Sequence, residues 1–179
     1  MLLFQTSLIT GLILSVFGCL ILFYKSNLQV ALVSFPRSNI FSVISVSVAT
    51  LWFLWRHVAF LGEADFGDYK LIIGSVALAT ALLSFVFVPD FLAVRGLAML
   101  ILLWSREVLD SAFLHSSVNR LVLVTIVYFL IIASIYFGAW PYKMKGLIDW
   151  LFQQTIRIKI FGFSAALSGI LITLLSFTY

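Results

Sequence analysis

Apolar residues run along this chain in long, nearly unbroken stretches, without the regular polar face of a soluble amphipathic helix. A helix needs about 20 mostly apolar residues to cross the hydrocarbon core of a bilayer. Windows of that length predict six spans: Ser7–Tyr24, Asn39–Leu61, Tyr69–Val88, Phe91–Leu114, Leu121–Trp140 and Ile158–Phe177. We therefore expect an all-α integral membrane bundle of about six transmembrane helices, formed as a single domain over residues 1–179.

The fourth stretch differs from the others because charged residues interrupt it. Arg95, Arg106, Glu107 and Asp110 all lie between Phe91 and Leu114. If this segment did not span, five helices would remain and the two ends of the chain would lie on opposite sides of the membrane.

Prolines separate several of the predicted helices. Pro36, Pro89 and Pro141 each follow a long apolar run, where a proline cannot continue the preceding helix. After Pro141, the stretch Gly146–Thr155 is predicted to be a short interfacial amphipathic helix. Its apolar side consists of Leu147, Ile148, Leu151 and Phe152.

Composition is that of an integral membrane protein. Apolar residues make up 63% of it and charged residues 10%, and the mean hydropathy is +1.18. Soluble domains carry about 25% charged residues, so a soluble globule, a disordered tail and a nucleic-acid-binding domain are excluded. The single cysteine, Cys19, excludes an intrachain disulfide. No basic residue precedes the first apolar run, so we expect a permanent span there and not a secretory signal.

Small residues recur at three- and four-residue steps in four of the predicted helices. Such seams let helix backbones approach closely in a membrane, where burying leucine does not drive association. This pattern predicts tight packing within one bundle, with a dimer seam on the sixth helix as the alternative. The seams are Ser7, Gly11, Ser15 and Gly18; Ser38, Ser42, Ser45 and Ala49; Gly74, Ala77, Ala81 and Ser84; and Gly162, Ala166, Gly169, Thr173 and Ser176.

The basic residues predict an orientation. With six spans, the first, third and fifth connections share one side of the membrane. Seven of the 11 Lys and Arg residues fall on that side and four on the other. Because cytoplasmic loops are enriched in Lys and Arg, we expect these odd-numbered connections in the cytoplasm and both ends of the chain outside.

The charged residues of the fourth stretch are the main candidates for function. Arg95 and Arg106 are 11 residues apart, so they lie almost on one face of a helix. Asp110 follows Arg106 by four residues and is close enough to pair with it, whereas Glu107 is expected to point elsewhere. A charge within the bilayer normally faces the protein interior and finds a partner. We interpret Arg95, Arg106 and Asp110 as an intramembrane charged face, serving either a structural ion pair or a substrate or proton path.

The remaining polar residues suggest interfacial roles. Basic residues around the amphipathic segment are expected to contact anionic lipid headgroups; they are Lys143, Lys145, Arg157 and Lys159. His57 and His115 fall on one side of the membrane, so a haem held between them is an open alternative. The chain has no catalytic motif or phosphate loop, and we expect no metal site, no cofactor and no nucleic-acid partner.

Several short motifs along the chain resemble a known group of proteins. They are Phe35-Pro36-Arg37-Ser38, Leu51-Trp52-Phe53, Asp68-Tyr69-Lys70, the run from Phe91 to Ala98, Asn119-Arg120-Leu121 and Trp140-Pro141-Tyr142. In that order they resemble a family of small uncharacterised polytopic membrane proteins from bacteria of the Verrucomicrobia type. The resemblance implies a multi-pass protein of the bacterial inner membrane. It implies no activity, and it assigns no functional residues.

Two functional hypotheses follow from the sequence. The first is a non-enzymatic accessory or scaffold subunit of a membrane complex, whose partners are other membrane subunits; self-association into a homo-oligomer would instead favour the second. The second is a small transporter or channel built around the charged face of the fourth helix. An enzyme acting on lipid is a third possibility, but it lacks any matching motif.

Overall fold

A computed structural model describes residues 2–62, 66–113 and 117–178. These ranges are almost entirely helical and contain no β-strand, which confirms the predicted all-α class. They form eight α-helices: α1 (Leu3–Phe23), α2 (Lys25–Ser34), α3 (Asn39–Phe53), α4 (Lys70–Phe87), α5 (Leu92–Ala112), α6 (Arg120–Ala139), α7 (Pro141–Gln153) and α8 (Thr155–Ser176).

Five helical segments of the described chain are long and apolar enough to cross a bilayer. They are Leu3–Phe23, Asn39–Val58, Gly67–Phe87, Arg120–Ala139 and Thr155–Ser176. The protein is therefore a membrane protein. The predicted fourth span corresponds to α5, whose charged residues keep it out of this group of five. The count of six spans stays a prediction.

Helix α5 lies at the centre of the bundle, although it is the most highly charged of the long helices. It packs against α1, α3 and α6, and its 21 residues extend about 31 Å at 1.5 Å per residue. Small and branched residues along its length allow other helices to pack on several sides of α5. Its buried residues are Leu92, Ala93, Val94, Gly96, Ala98, Ser105, Glu107, Val108 and Ala112.

The two ends of the chain form the closest helix pair, α1 against α8. Gly18 lies so close to α8 that an added Cβ would stand 2.7 Å from the carbonyl oxygen of Gly162. At the next contact, a Cβ on Gly169 would lie 2.7 Å from the carbonyl oxygen of Gly11. The predicted seams of the first and sixth spans therefore pack against each other within one chain.

Helix α3 packs on α5 through another small-residue contact. Its first turn is capped by Ser38, whose hydroxyl accepts a hydrogen bond of 3.5 Å from the amide of Phe41. Further along, a Cβ added to Gly96 of α5 would stand 2.8 Å from the Cβ of Ser45. Beyond Phe53 the helix widens into a π-helical turn, Leu54–Val58.

Two short helices, α2 and α7, meet at one end of the bundle. The sequence predicts a simple connection where α2 lies, and it places the amphipathic helix five residues later than the observed start of α7 at Pro141. Of the predicted apolar side, Ile148 and Leu151 are buried within the bundle, whereas Leu147 is exposed. The 3₁₀ turn Phe35–Arg37 and the start of α5 lie at this same end.

Helix α4 packs differently from the other long helices. It contacts α3 and the π-helical turn that follows α3, and no residue in it is buried. A Cβ on Gly74 would stand at ordinary contact distance, 3.7 Å, from side-chain atoms of Leu54 and Val58. Helix α4 is thus held to the bundle mainly along one side and at one end.

Candidate functional site

A bidentate ion pair joins α5 to the π-helical turn at the end of α3. Arg56 Nε donates to Glu107 Oε1 at 2.9 Å, and its Nη2 donates to Oε2 at 3.2 Å. The Glu107 side chain is only 8% exposed, whereas that of Arg56 is 50% exposed. A buried carboxylate needs such a partner, because an unpaired buried charge is strongly destabilising.

The regular spacing of the two helices brings this pair together. Ser45 of α3 touches Gly96 of α5. Glu107 lies 11 residues beyond Gly96 on α5, and Arg56 lies 11 residues beyond Ser45, in the π-helical turn that continues α3. Eleven residues are about three turns, or about 16 Å, so they return to nearly the same face. A separation of 11 residues also relates Arg95 to Arg106. Counted from Gly96, which contacts α3, the same separation identifies Glu107 as the carboxylate that faces α3.

The predicted pair of Arg106 and Asp110 lies on the surface of the bundle. Arg106 Nε is 3.7 Å from Asp110 Oδ2, and the side chains are 61% and 71% exposed. This contact is long for an ion pair and open to the surroundings. The buried carboxylate of α5 is instead Glu107, so the prediction that Glu107 points away from the bundle is wrong.

His57 lies beside these charges. Its ring stacks on Phe53 with centroids 5.6 Å apart and an interplanar angle of 16°. Its Nδ1 is buried and has no hydrogen-bond partner within the described part of the chain. His115, the second ligand of the haem alternative, lies outside the described residues. Among the residues described, no three His, Cys, Asp or Glu side chains are placed to share a metal ion.

Arg95 is separated from the other charged residues of α5. It lies about 16 Å from Arg106 along the helix axis, close to the beginning of α5. The structure therefore does not bring Arg95, Arg106 and Asp110 into one site. Instead, Arg95 lines a groove of about 540 Å³ bounded by α3, α4 and α5. We call this the α4 groove.

The walls of the α4 groove are almost entirely apolar. Helix α4 contributes Ala77, Ala81 and Ser84, three residues of its predicted small-residue seam. Val46, Ala49 and Phe53 line it from α3, and Met99 and Leu103 from α5. Thr80 and Ser84 bond their hydroxyls to carbonyls of their own helix, and Arg95 is the only charged residue in the wall that the structure describes.

The four basic residues around α7 have different surroundings. The Arg157 guanidinium lies over the Trp150 ring at 4.4 Å and donates to the Trp150 carbonyl oxygen at 3.3 Å. The Lys143 ammonium lies 5.5 Å from the centre of the Tyr142 ring. Lys143 and Lys159 are exposed, and Lys145 is half-buried. Their contact with anionic lipid headgroups stays a prediction.

Comparison with known proteins identifies no relative of this chain. The chain matches no protein-family model, no curated protein and no solved structure.

Proposed function

We propose that this protein is a non-catalytic accessory or scaffold subunit of a membrane complex, located in the inner membrane of a bacterium. The observation that carries the proposal is the incomplete packing of α4, which has no buried residue within the chain. Helices in a bilayer are held together by close packing of their side chains and backbones. A partner subunit packing against α4 would supply the contacts that the chain itself lacks.

The filled interior of the bundle also supports a role in binding other subunits. Where α1, α5, α6 and α8 meet, the core is filled by aliphatic side chains: Leu3, Val108, Ala112, Leu123, Val127 and Ile172. Several buried hydroxyls bond to carbonyls of their own helix, as Ser7 does to Leu3 at 2.7 Å and Thr10 to Thr6 at 2.7 Å. The buried carboxylate of Glu107 is already bound by Arg56.

Site-specific photocrosslinking in native membranes tests the proposal. Leu82 of α4 is 60% exposed and Ile132 of α6 is 62% exposed, so the two positions form a matched pair. We expect a photoreactive residue at Leu82 to form an adduct with a second protein, and one at Ile132 to form none. The same second protein should co-purify with the unmodified chain at a fixed stoichiometry in mild detergent.

Three outcomes would contradict the proposal. Adducts of equal yield from Leu82 and Ile132 would indicate random collision. Absence of any protein adduct from Leu82 would remove the partner. An adduct with a second copy of this chain as the sole product would show self-association and favour a small transporter or channel.

A further inference from the structure

The α4 groove combines an apolar wall with a single cation at one end. Arg95 is the fourth residue of α5, so it lies about 5 Å along the helix axis from its beginning. Leu103, at the far end of the lining on α5, is eight residues further, or about 12 Å away. The groove is thus amphipathic along its length, with its charge close to one end of the bundle.

The cation is available to a ligand. Arg95 forms no ion pair and no hydrogen bond through its side chain within the described part of the chain. The two ion pairs found there are Arg56 with Glu107 and Arg106 with Asp110. The nearby Asp90 is exposed and does not come within 4.0 Å of the Arg95 guanidinium. A cation beside an apolar wall near the membrane interface is stabilised by an anionic partner.

A second positive charge lies at the same end. The Arg37 guanidinium stands 5.5 Å from the ring centre of Phe91, the residue immediately before α5. The amino-terminal end of α5 adds the partial positive charge of a helix dipole. This end of the groove therefore favours an anion.

The size of the groove suits a small ligand. Its volume of about 540 Å³ lies within the roughly 300–1,000 Å³ typical of small-ligand sites. It is open along one side, and α4 makes little direct contact with α5, so a ligand can enter sideways from the bilayer.

We propose that the α4 groove binds one anionic phospholipid, with its phosphate at Arg95 and an acyl chain along the wall formed by Ala81 and Leu103. The hydrocarbon matches the apolar lining, and the phosphate supplies the partner that Arg95 lacks. This site is independent of the partner subunit proposed above, because the lipid lies between α4 and α5 and not on the outer face of α4.

Native mass spectrometry of the purified full chain tests the site. The probes are phosphatidylglycerol and phosphatidylcholine with identical acyl chains, titrated separately. We expect one phosphatidylglycerol to bind about fivefold more tightly than phosphatidylcholine, as one interfacial arginine contributes to anionic lipid binding. Arg95→Gln should abolish that preference, and Arg95→Lys should retain part of it. Arg106→Gln, on the exposed far end of the same helix, is the matched control and should change nothing.

A second series tests the hydrocarbon part of the site. Ala81→Leu and Ala81→Phe fill the groove to increasing extents and should progressively weaken the binding of both lipids. Retained preference in Arg95→Gln, or unchanged binding in Ala81→Phe, would overturn the proposal and place the lipid elsewhere, for example near α7. The proposal would also be overturned if the purified protein were a dimer without bound lipid and Ala81→Phe dissociated it. The groove would then be an interface between two copies of the chain.

Discussion

Helices α4 and α8 carry similar patterns of small residues, but their surroundings are opposite. In α8, Gly162, Ala166 and Gly169 are buried against α1. In α4, the corresponding seam of Gly74, Ala77, Ala81 and Ser84 contains no buried residue, and most of it lines the α4 groove. A seam of small residues therefore determines which face of a helix permits close approach, but not whether another helix occupies that face.

The two halves of the bundle are also held by different interactions. The α1–α8 pair depends on backbone contact, where small size is the property that matters. On the α4 side, the bidentate pair of Arg56 and Glu107 ties the end of α3 to α5. Close packing makes the first half intolerant of added volume. The open groove makes the second half tolerant of it, but the ion pair makes it sensitive to loss of a charge.

The largest effect is expected in the close pair. Gly18→Leu places a side chain where even a Cβ would collide with the backbone of Gly162 and Ala166. We expect it to lower the free energy of unfolding by about 3 kcal/mol, the upper end for overpacking, measured by thermal unfolding in detergent. Gly146→Leu is the control, because a Cβ at Gly146 has no neighbour within 4 Å. Equal stability of the two variants would mean that α1 and α8 are not in close contact.

An intermediate effect is expected from the ion pair beside the groove. Arg56→Leu leaves the Glu107 carboxylate buried without a partner, so the unfolding temperature should fall by several degrees. Adding Glu107→Leu removes the unpaired charge and should restore most of the loss. Arg106→Leu breaks the exposed pair with Asp110 and should have a much smaller effect, since exposed pairs contribute little. If the losses from Arg56→Leu and Glu107→Leu simply added, the two residues would not be coupled.

The smallest effect is expected in the groove itself. Ala81→Leu adds volume to an open space and should change the free energy of unfolding by no more than about 0.5 kcal/mol. The same change at Ala166, which is 7% exposed against α1, should cost about 2 kcal/mol. Chemical unfolding of both variants in the same detergent compares them directly. A large loss from Ala81→Leu would show that α4 closes onto α5 in the membrane.

Much of the fold could be predicted from local sequence. The long apolar runs predict the helices because a lipid environment requires every backbone group to be bonded within its own segment. An apolar window does not recognise α2, since Lys25–Ser34 is too polar and too short. The apolar pattern predicts too late a start for α7 because it begins only after Gly146, whereas Pro141 already suits the first turn of a helix.

The candidate site could be predicted only in part. The sequence correctly drew attention to the charges of α5, and the spacing of Arg106 and Asp110 does bring them within 3.7 Å. The 11-residue step from Gly96 points to Glu107 as the inward-facing carboxylate, but its partner Arg56, 51 residues away on another helix, cannot be inferred from that pattern. A helical pattern relates residues of one helix, whereas burial depends on which helices become neighbours.

The sequence by itself determined that this is an all-helical membrane protein and which helix faces allow close approach, because both properties depend on hydrophobicity and side-chain size. Tertiary structure alone decided that the seams of α1 and α8 meet, that the seam of α4 faces a groove, and that Arg95 lies in that groove apart from Arg106. Small-residue seams are chemically alike, so their pairing depends on how the connections and the central helix α5 arrange the long helices in space.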